Sequence, residues 1–274
     1  MPVLEKLRSA NSAEALAYLA ENPYENVFVT WLIESSLVGR FGSEVVLWRD
    51  AEGFVRGVGY FGPQHVLHAS CDEAVDSFAA FARRAGTPRM IVGPVATVER
   101  YWSQARGRFG APTMVRECQP VYALARNRLR YTRAGAGVGQ ASLAELDEIV
   151  NNAAAMILGE LGNDPRRNGN DFRTRTAGLI KSGWFWRYRV EGELVFMCHI
   201  GSTSALTAQL QGVWTPVEAR GHGHATRGLG AICDHLLDEY QTLSLYVNDF
   251  NKPAVALYER VGFQRVGAFR TILL

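Results

Sequence analysis

The chain has 274 residues, which is enough for one large domain or two ordinary ones. Its 47% hydrophobic and 20% charged residues exclude a disordered, collagen-like or coiled-coil protein. The net charge of +2 excludes a partner held by bulk charge, so neither nucleic acid nor a membrane surface is expected.

The elements follow in chain order. Ser12 caps a first helix, and Asn26–Ser35 is a second with Val27, Phe28, Trp31 and Leu32 on its apolar face. Val45–Trp48 and Phe54–Tyr60 form a hairpin about Ala51-Glu52-Gly53. A strand at His65–His68, a helix at Asp72–Arg84, a strand at Met90–Val92, a helix at Val98–Arg106 and an extended run at Val115–Ala125 complete the first half.

From about Arg130 the order begins again. Leu143–Met156 is a helix capped by Ser142, Gly159–Asn170 a loop, and Phe172–Lys181 a helix. Trp184–Val190 and Leu194–Ile200 form a hairpin about Glu191-Gly192-Glu193, followed by a strand at Gln209–Thr215. The helix His224–Tyr240 is strongly amphipathic through Ala225, Leu229, Ile232, Leu236 and Tyr240. Then come a strand at Leu243–Val247, a helix at Pro253–Val261 closed by Gly262, and an extended stretch from Phe263 to Leu274, with a bend allowed at Gly267. The shared plan predicts a diverged duplication, with residues 1–130 and 131–274 as its two domains.

Cys71, Cys118, Cys198 and Cys233 form no CxxC pair, so neither a disulfide framework nor a zinc site is expected, and a reducing cytoplasm is the default location. Met1–Lys6 lacks the basic-then-apolar order of a signal peptide. Leu194–Val217 is free of charged residues but holds Ser, Thr, Gln, His and Pro, so it reads as strands and a turn, not a membrane helix.

The strongest chemical signal is Arg220-Gly221-His222-Gly223-His224-Ala225, set between a strand and the amphipathic helix. Glycines there let consecutive backbone amides turn toward one anion, and the helix N-terminus adds partial positive charge, which makes a pyrophosphate cradle. The Gly-Lys-Ser/Thr ending of a P-loop and the G-x-G-x-x-G of a dinucleotide site are both missing at this turn. The His222/His224 pair lacks the neighbours of a metal site, and no metal is expected.

About twenty-five residues on stand Asn251, Ala254, Leu257, Tyr258, Gly262 and Phe263. With Arg220, Gly223 and Ala225, this order resembles the GNAT acyltransferase superfamily over roughly Thr132–Leu274. The whole chain is similar to an actinobacterial group in which a GNAT domain follows a degenerate GNAT-like half. The resemblance implies an α/β fold of two GNAT-like halves, each a bent mixed sheet flanked by helices. It implies an N-acetyltransferase with acetyl-CoA as co-substrate and a small amine or peptide amino terminus as acceptor, by direct attack. A non-catalytic acyl-CoA-binding sensor is the alternative.

By the same resemblance, Val213 and Thr215 would meet the pantetheine arm through their backbone. Gly221, His222, Gly223, His224, Ala225 and Thr226, with Arg220, would surround the pyrophosphate. Asn251 would touch the arm or fix its loop, and Tyr258 would protonate the departing thiolate. Many family members place a carboxylate on the central strand, but Leu206–Thr215 offers only Gln209 and Gln211. The base is therefore open among Glu160, Asp164, His199, a water chain and the carboxylate of Leu274. Glu160 and Asp164 would also attract a protonated amine, while Arg166 and Arg167 would meet an acceptor carboxylate. Trp184, Trp186 and Tyr188 share a strand face, as sheet core or as the wall of an acceptor pocket. In the first half the corresponding turn reads Ser70-Cys71-Asp72-Glu73, without glycine and with two carboxylates, so cofactor binding is expected to be lost there.

Overall fold

The computed structural model describes residues 1–35, 44–131 and 137–274. Residues 132–136, where the resemblance begins, lie outside the described residues. By its internal contacts the chain divides into two units: Met1–Tyr122, Tyr246–Lys252 and Arg265–Leu274 in one, and Ala123–Leu245 with Pro253–Gln264 in the other. This differs from a single cut after residue 130 by returning two C-terminal segments to the first unit.

The first half runs β1 (Val3–Lys6), α1 (Ser12–Ala20), α2 (Pro23–Glu34), β2 (Glu44–Arg49), β3 (Val55–Phe61), β4 (His65–Ala69), α3 (Asp72–Phe81), β5 (Met90–Pro94), α4 (Val95–Phe109) and β6 (Met114–Ala125). The second runs β7 (Val138–Gln140), α5 (Leu146–Leu161), α6 (Asp171–Lys181), β8 (Phe185–Val190), β9 (Glu193–Thr203), β10 (Thr207–Trp214), α7 (His224–Leu236), β11 (Thr242–Tyr246), α8 (Lys252–Val261) and β12 (Gln264–Leu273). The same order of strands and helices occurs twice. Hydropathy did not announce β1 and β7, because strands of four and three residues show no period of their own.

In the first unit the sheet order is β1-β2-β3-β4-β5-β12-β6. Strands β1 to β4 are antiparallel neighbours, β4 and β5 are parallel, and β12 pairs with β5 antiparallel from Phe269↔Pro94 to Leu273↔Met90. The last strand thus covers an edge of β5 that would otherwise offer unpaired amides and carbonyls. It passes through Gly267 without interruption. One sheet face buries Leu67, Ile91 and Ile272 with Phe78 of α3 and Tyr101 of α4. The other buries Leu47 and Val58 with Leu19 of α1 and Val29 of α2.

In the second unit the order is β11-β10-β9-β8-β7, antiparallel except for the β10/β11 pair. One face buries Phe185 and Met197 with Ile149 of α5 and Phe172 of α6. The other carries α7, whose Gly228 leaves no room for a β-carbon against Phe196 and Tyr188. The β8–β9 hairpin turns on Glu191 (φ 52°) and Gly192 (φ 87°), the positive-φ pair of a type I′ turn.

The second unit corrects two sequence boundaries, and one is that α7 ends at Leu236 and leaves Tyr240 outside the helix. Helix α5 continues through Gly159 to Leu161 and stops at Gly162, whose φ of 72° lets its amide donate to the Leu158 carbonyl at 2.9 Å. Glu160 therefore lies in the last turn of a helix, not in a loop. At the other end, Ser142 and Glu145 form a capping box, with the Ser142 amide donating to Oε2 at 2.8 Å. No described helix is long and apolar enough to cross a membrane. The four cysteines are free thiols. Among the described residues no three His, Cys, Asp or Glu side chains gather as a metal site.

Candidate functional site

The site is built on β10. Its parallel pairing with β11 covers Thr207↔Thr242, Ala208↔Leu243 and Gln209↔Ser244 and stops there, while β10 itself runs on to Trp214. Its antiparallel pairing with β9 shifts register between Gln211↔His199 and Trp214↔Met197, where β10 holds one extra residue. Gly212, at φ 61°, sits in this bulge. The far half of β10, which carries Val213, thus presents backbone groups on the β11 side with no strand to receive them.

The cradle follows. Gly221 and Gly223 adopt φ of 81° and 75°, and Gly223 caps the N-terminus of α7. Among the described residues, the amides of Gly221, His222, Gly223 and His224 donate to no acceptor in the protein. No acidic residue stands in the first turn of α7. Arg227 folds back over this turn, donating to the His222 carbonyl at 2.7 Å and to His224 Nδ1 at 3.1 Å. Free amides, a helix N-terminus and a guanidinium converge, so a pyrophosphate fits what is left unsatisfied. Partial burial, then Arg227, then His222 push the His224 imidazole below its ordinary pKa.

Other predicted cofactor residues stand differently. Arg220 stacks on Trp214, its guanidinium carbon 4.6 Å from the ring centroid, and its Nε donates to the Thr215 carbonyl at 3.1 Å. Its side chain closes the loop between β10 and α7. Ala225 is half-buried on α7, whereas Thr226 is buried in the packed face of that helix. Asn251 lies in the first unit, its amide donating to the Asn248 carbonyl at 2.9 Å.

Tyr258 is buried on α8 and packs edge-on against Phe263 at 5.9 Å between centroids. Gly262, at φ 117°, ends α8 where a β-carbon would stand 2.1 Å from the Arg128 carbonyl oxygen, which explains the Gly-Phe pair. Burial holds the Tyr258 phenol protonated far above its usual range, and Cys198, Glu160 and Cys233 push it the same way. Glu160 and Tyr258 are therefore within electrostatic reach of each other, with Glu160 exposed.

Asp164 is committed to Arg166. It accepts from the Arg166 amide at 3.0 Å and from Arg166 Nε and Nη2 at 2.9 and 2.7 Å, which holds its carboxyl down at about 2. The same bonds commit Arg166, which also donates to Asn151 at 2.8 Å. Leu274 ends the chain in the first unit, with its amide on the Arg89 carbonyl. Trp186 stacks on His235 and Tyr188 meets His224 edge-on, so this stripe packs under α7.

In the first unit, α3 begins after Cys71 with Asp72 and Glu73 in its first turn, and Arg100 binds Asp72 and Asp76. A cavity of about 500 Å³ at this end is lined by Pro2, Trp48, Asp50, Arg56, Cys71 and Glu73, among others. Arg56 is held there by Asp50 at 2.8 Å. A β-carbon on Gly93 would stand 2.3 Å from the Leu67 carbonyl oxygen, so β4 and β5 still touch one position past the Val66↔Val92 pair.

The sequence model of the acetyltransferase (GNAT) family matches residues 161–263, and that of a domain of unknown function (DUF4081) matches residues 45–149. No curated protein matches the chain. Among solved structures, a Drosophila protein superposes with a TM-score of 0.70 at 12% identity, covering 100% of this chain and 99% of its own. A GCN5-related N-acetyltransferase from Sphaerobacter thermophilus gives 0.60 at 13%, covering 99% and 94%. A tandem GNAT protein from the clavulanic acid biosynthesis pathway gives 0.58 at 14%, covering 99% and 98%. At these identities the likeness is one of fold, and it extends over the whole chain. Residues 161–263 form a GNAT acetyltransferase-family domain, in a chain whose two mixed α/β halves have the fold of tandem GNAT proteins.

Proposed function

We propose that the protein transfers an acetyl group from acetyl-CoA to a primary amine by direct attack in a ternary complex. The observation that carries this reading is the set of unsatisfied amides from Gly221 to His224 at the start of α7, directly after the unpaired end of β10. In this reading those amides and Arg227 bind the pyrophosphate, while Val213 and Thr215 offer backbone groups to the pantetheine arm. Tyr258, buried and kept protonated, donates a proton to the departing thiolate. Glu160, exposed and acidic, draws in the ammonium form of the acceptor, a small molecule or a peptide amino terminus. Only the second half binds acetyl-CoA, because the first half has acidic residues and no glycine at its turn.

One observation favours a second reading, a non-catalytic acyl-CoA sensor: β10 carries Gln209 and Gln211 and no carboxylate. Acetyl-CoA consumption against a panel of amines, with intact mass to detect self-acetylation, separates the two. Turnover on any amine supports the transferase. Tight binding with no turnover supports the sensor.

A further inference from the structure

Resting on the transferase reading, we infer that His199 Nε2 is the atom that takes the proton from the acceptor amine. His199 lies on β9 directly opposite Gln211, two residues beyond the last β10/β11 pair, where the wedge opens. An anion held at the cradle leaves an extended acyl chain to follow the free edge of β10 back toward this point. β9 borders β10 on the side away from β11, about 5 Å from it, and the His199 ring extends from there over Gly212 of β10, toward the free edge.

Three neighbours orient the ring. Nδ1 lies 3.2 Å from the Ile200 carbonyl oxygen, which can only accept, so Nδ1 carries the hydrogen and Nε2 the lone pair. Phe185 lies against one side with centroids 5.6 Å apart. Beside the Cδ2–Nε2 edge is Gly212, where an ideal β-carbon would stand 2.9 Å from Nε2 and 2.7 Å from Cδ2. The bulge thus keeps one backbone position bare beside the basic nitrogen. Gln211 turns away, lying over Gly201 and donating to Gln209 Oε1 at 3.1 Å. Burial, opposed by the Ile200 carbonyl, lowers the imidazole pKa and keeps it neutral near pH 7. No charged group on β8, β10 or α5 contributes to that shift.

The step balances. The acceptor ammonium first loses a proton to solvent; the neutral amine nitrogen then attacks the thioester carbonyl carbon, the C–N bond forms and the C–S bond breaks. The amine proton goes to Nε2 and the thiolate takes the Tyr258 proton. Proton return from imidazolium to tyrosinate through water restores both.

The test is the pH profile of kcat/KM for an amine that turns over, in the wild type and in His199→Gln. We expect a fall of about 10²-fold or more at neutral pH. The acidic limb should be lost, while thermal stabilisation by acetyl-CoA stays at the wild-type level. Nitrogen-15 shifts of the unliganded wild-type imidazole, assigned by difference, should give the Nδ1–H tautomer and a pKa below 6.5, whether or not the variant folds. An Nε2–H tautomer, or a limb that persists in His199→Gln and vanishes in Glu160→Gln, overturns the assignment and leaves the transferase reading intact. Acetyl-CoA binding without turnover of any amine by the wild type overturns both.

Discussion

The His199 ring occupies the space that a side chain on Gly212 would fill, 2.7 Å from where its β-carbon would stand. A Gly212→Ala change must displace the ring or the bulge and also adopt φ 61° with a β-carbon. Left-handed strain of this kind costs about 1–3 kcal/mol. Urea unfolding should show that loss, together with a fall in kcat larger than any change in acetyl-CoA affinity.

Cradle binding is tested by charge at Gly223. Both Gly223→Ala and Gly223→Glu carry the cost of φ 75°, about 1–2 kcal/mol. Only the glutamate places a carboxylate against the pyrophosphate. Differential scanning fluorimetry should show acetyl-CoA stabilisation abolished in the glutamate variant and partly kept in the alanine variant. Titration calorimetry should give one site per chain.

Replacing Tyr258 with Phe removes one buried hydroxyl from α8. It should lower kcat about 10²–10⁴-fold and leave acetyl-CoA affinity nearly unchanged. An unchanged kcat, with chemistry slower than product release, would assign the phenol to packing alone.

The two carboxylates near the end of α5 should separate. Asp164 is locked by Arg166, so Asp164→Asn should leave the acidic limb of kcat/KM where it is. Glu160→Gln should raise the KM of a cationic acceptor several-fold and leave the acetyl-CoA KM unchanged. Equal behaviour of the two variants would refute the distinction.

Acetyl-CoA affinity should rise as pH falls from 8 to 6. Partial burial, and then Arg227, whose Nη2 donates to its Nδ1, lower the His224 pKa. Negative charge bound beside it raises its pKa, so binding takes up a proton and is favoured at lower pH. Calorimetry in buffers of different ionisation enthalpy should show the uptake, and His224→Gln should flatten the trend.

The first unit has its own acid sensitivity. Burial lowers His65 to about 4, with Arg108 acting in the same direction, and lowers His68 to about 3. The unfolded chain takes up these protons near pH 6.5, so stability is full above that and is lost as pH falls toward the folded values. The linkage amounts to about 3 kcal/mol for each by pH 4. Urea midpoints at pH 7 and pH 4 should differ accordingly, and His68→Leu should remove about half the difference.

What the sequence determined by itself was local. Gly221 and Gly223 specify a left-handed turn before α7, Pro253 and Gly262 bracket α8, and Glu191-Gly192 sets a hairpin, because each acts through its own dihedrals and its nearest neighbours. The repeat of element order was legible for the same reason. Only the tertiary structure decided what depends on pairing between distant segments. Residues 265–274 belong to the first unit because β12 finds its partner in β5, some 180 residues upstream. Strand β1 exists because β2 receives it. The stacking of Arg220 on Trp214 likewise depends on how the β10–α7 loop folds back on the end of β10. The place of His199 depends on a bulge in β10 and on the register that sets it opposite Gln211, and neither leaves a mark in the order of residues along one strand.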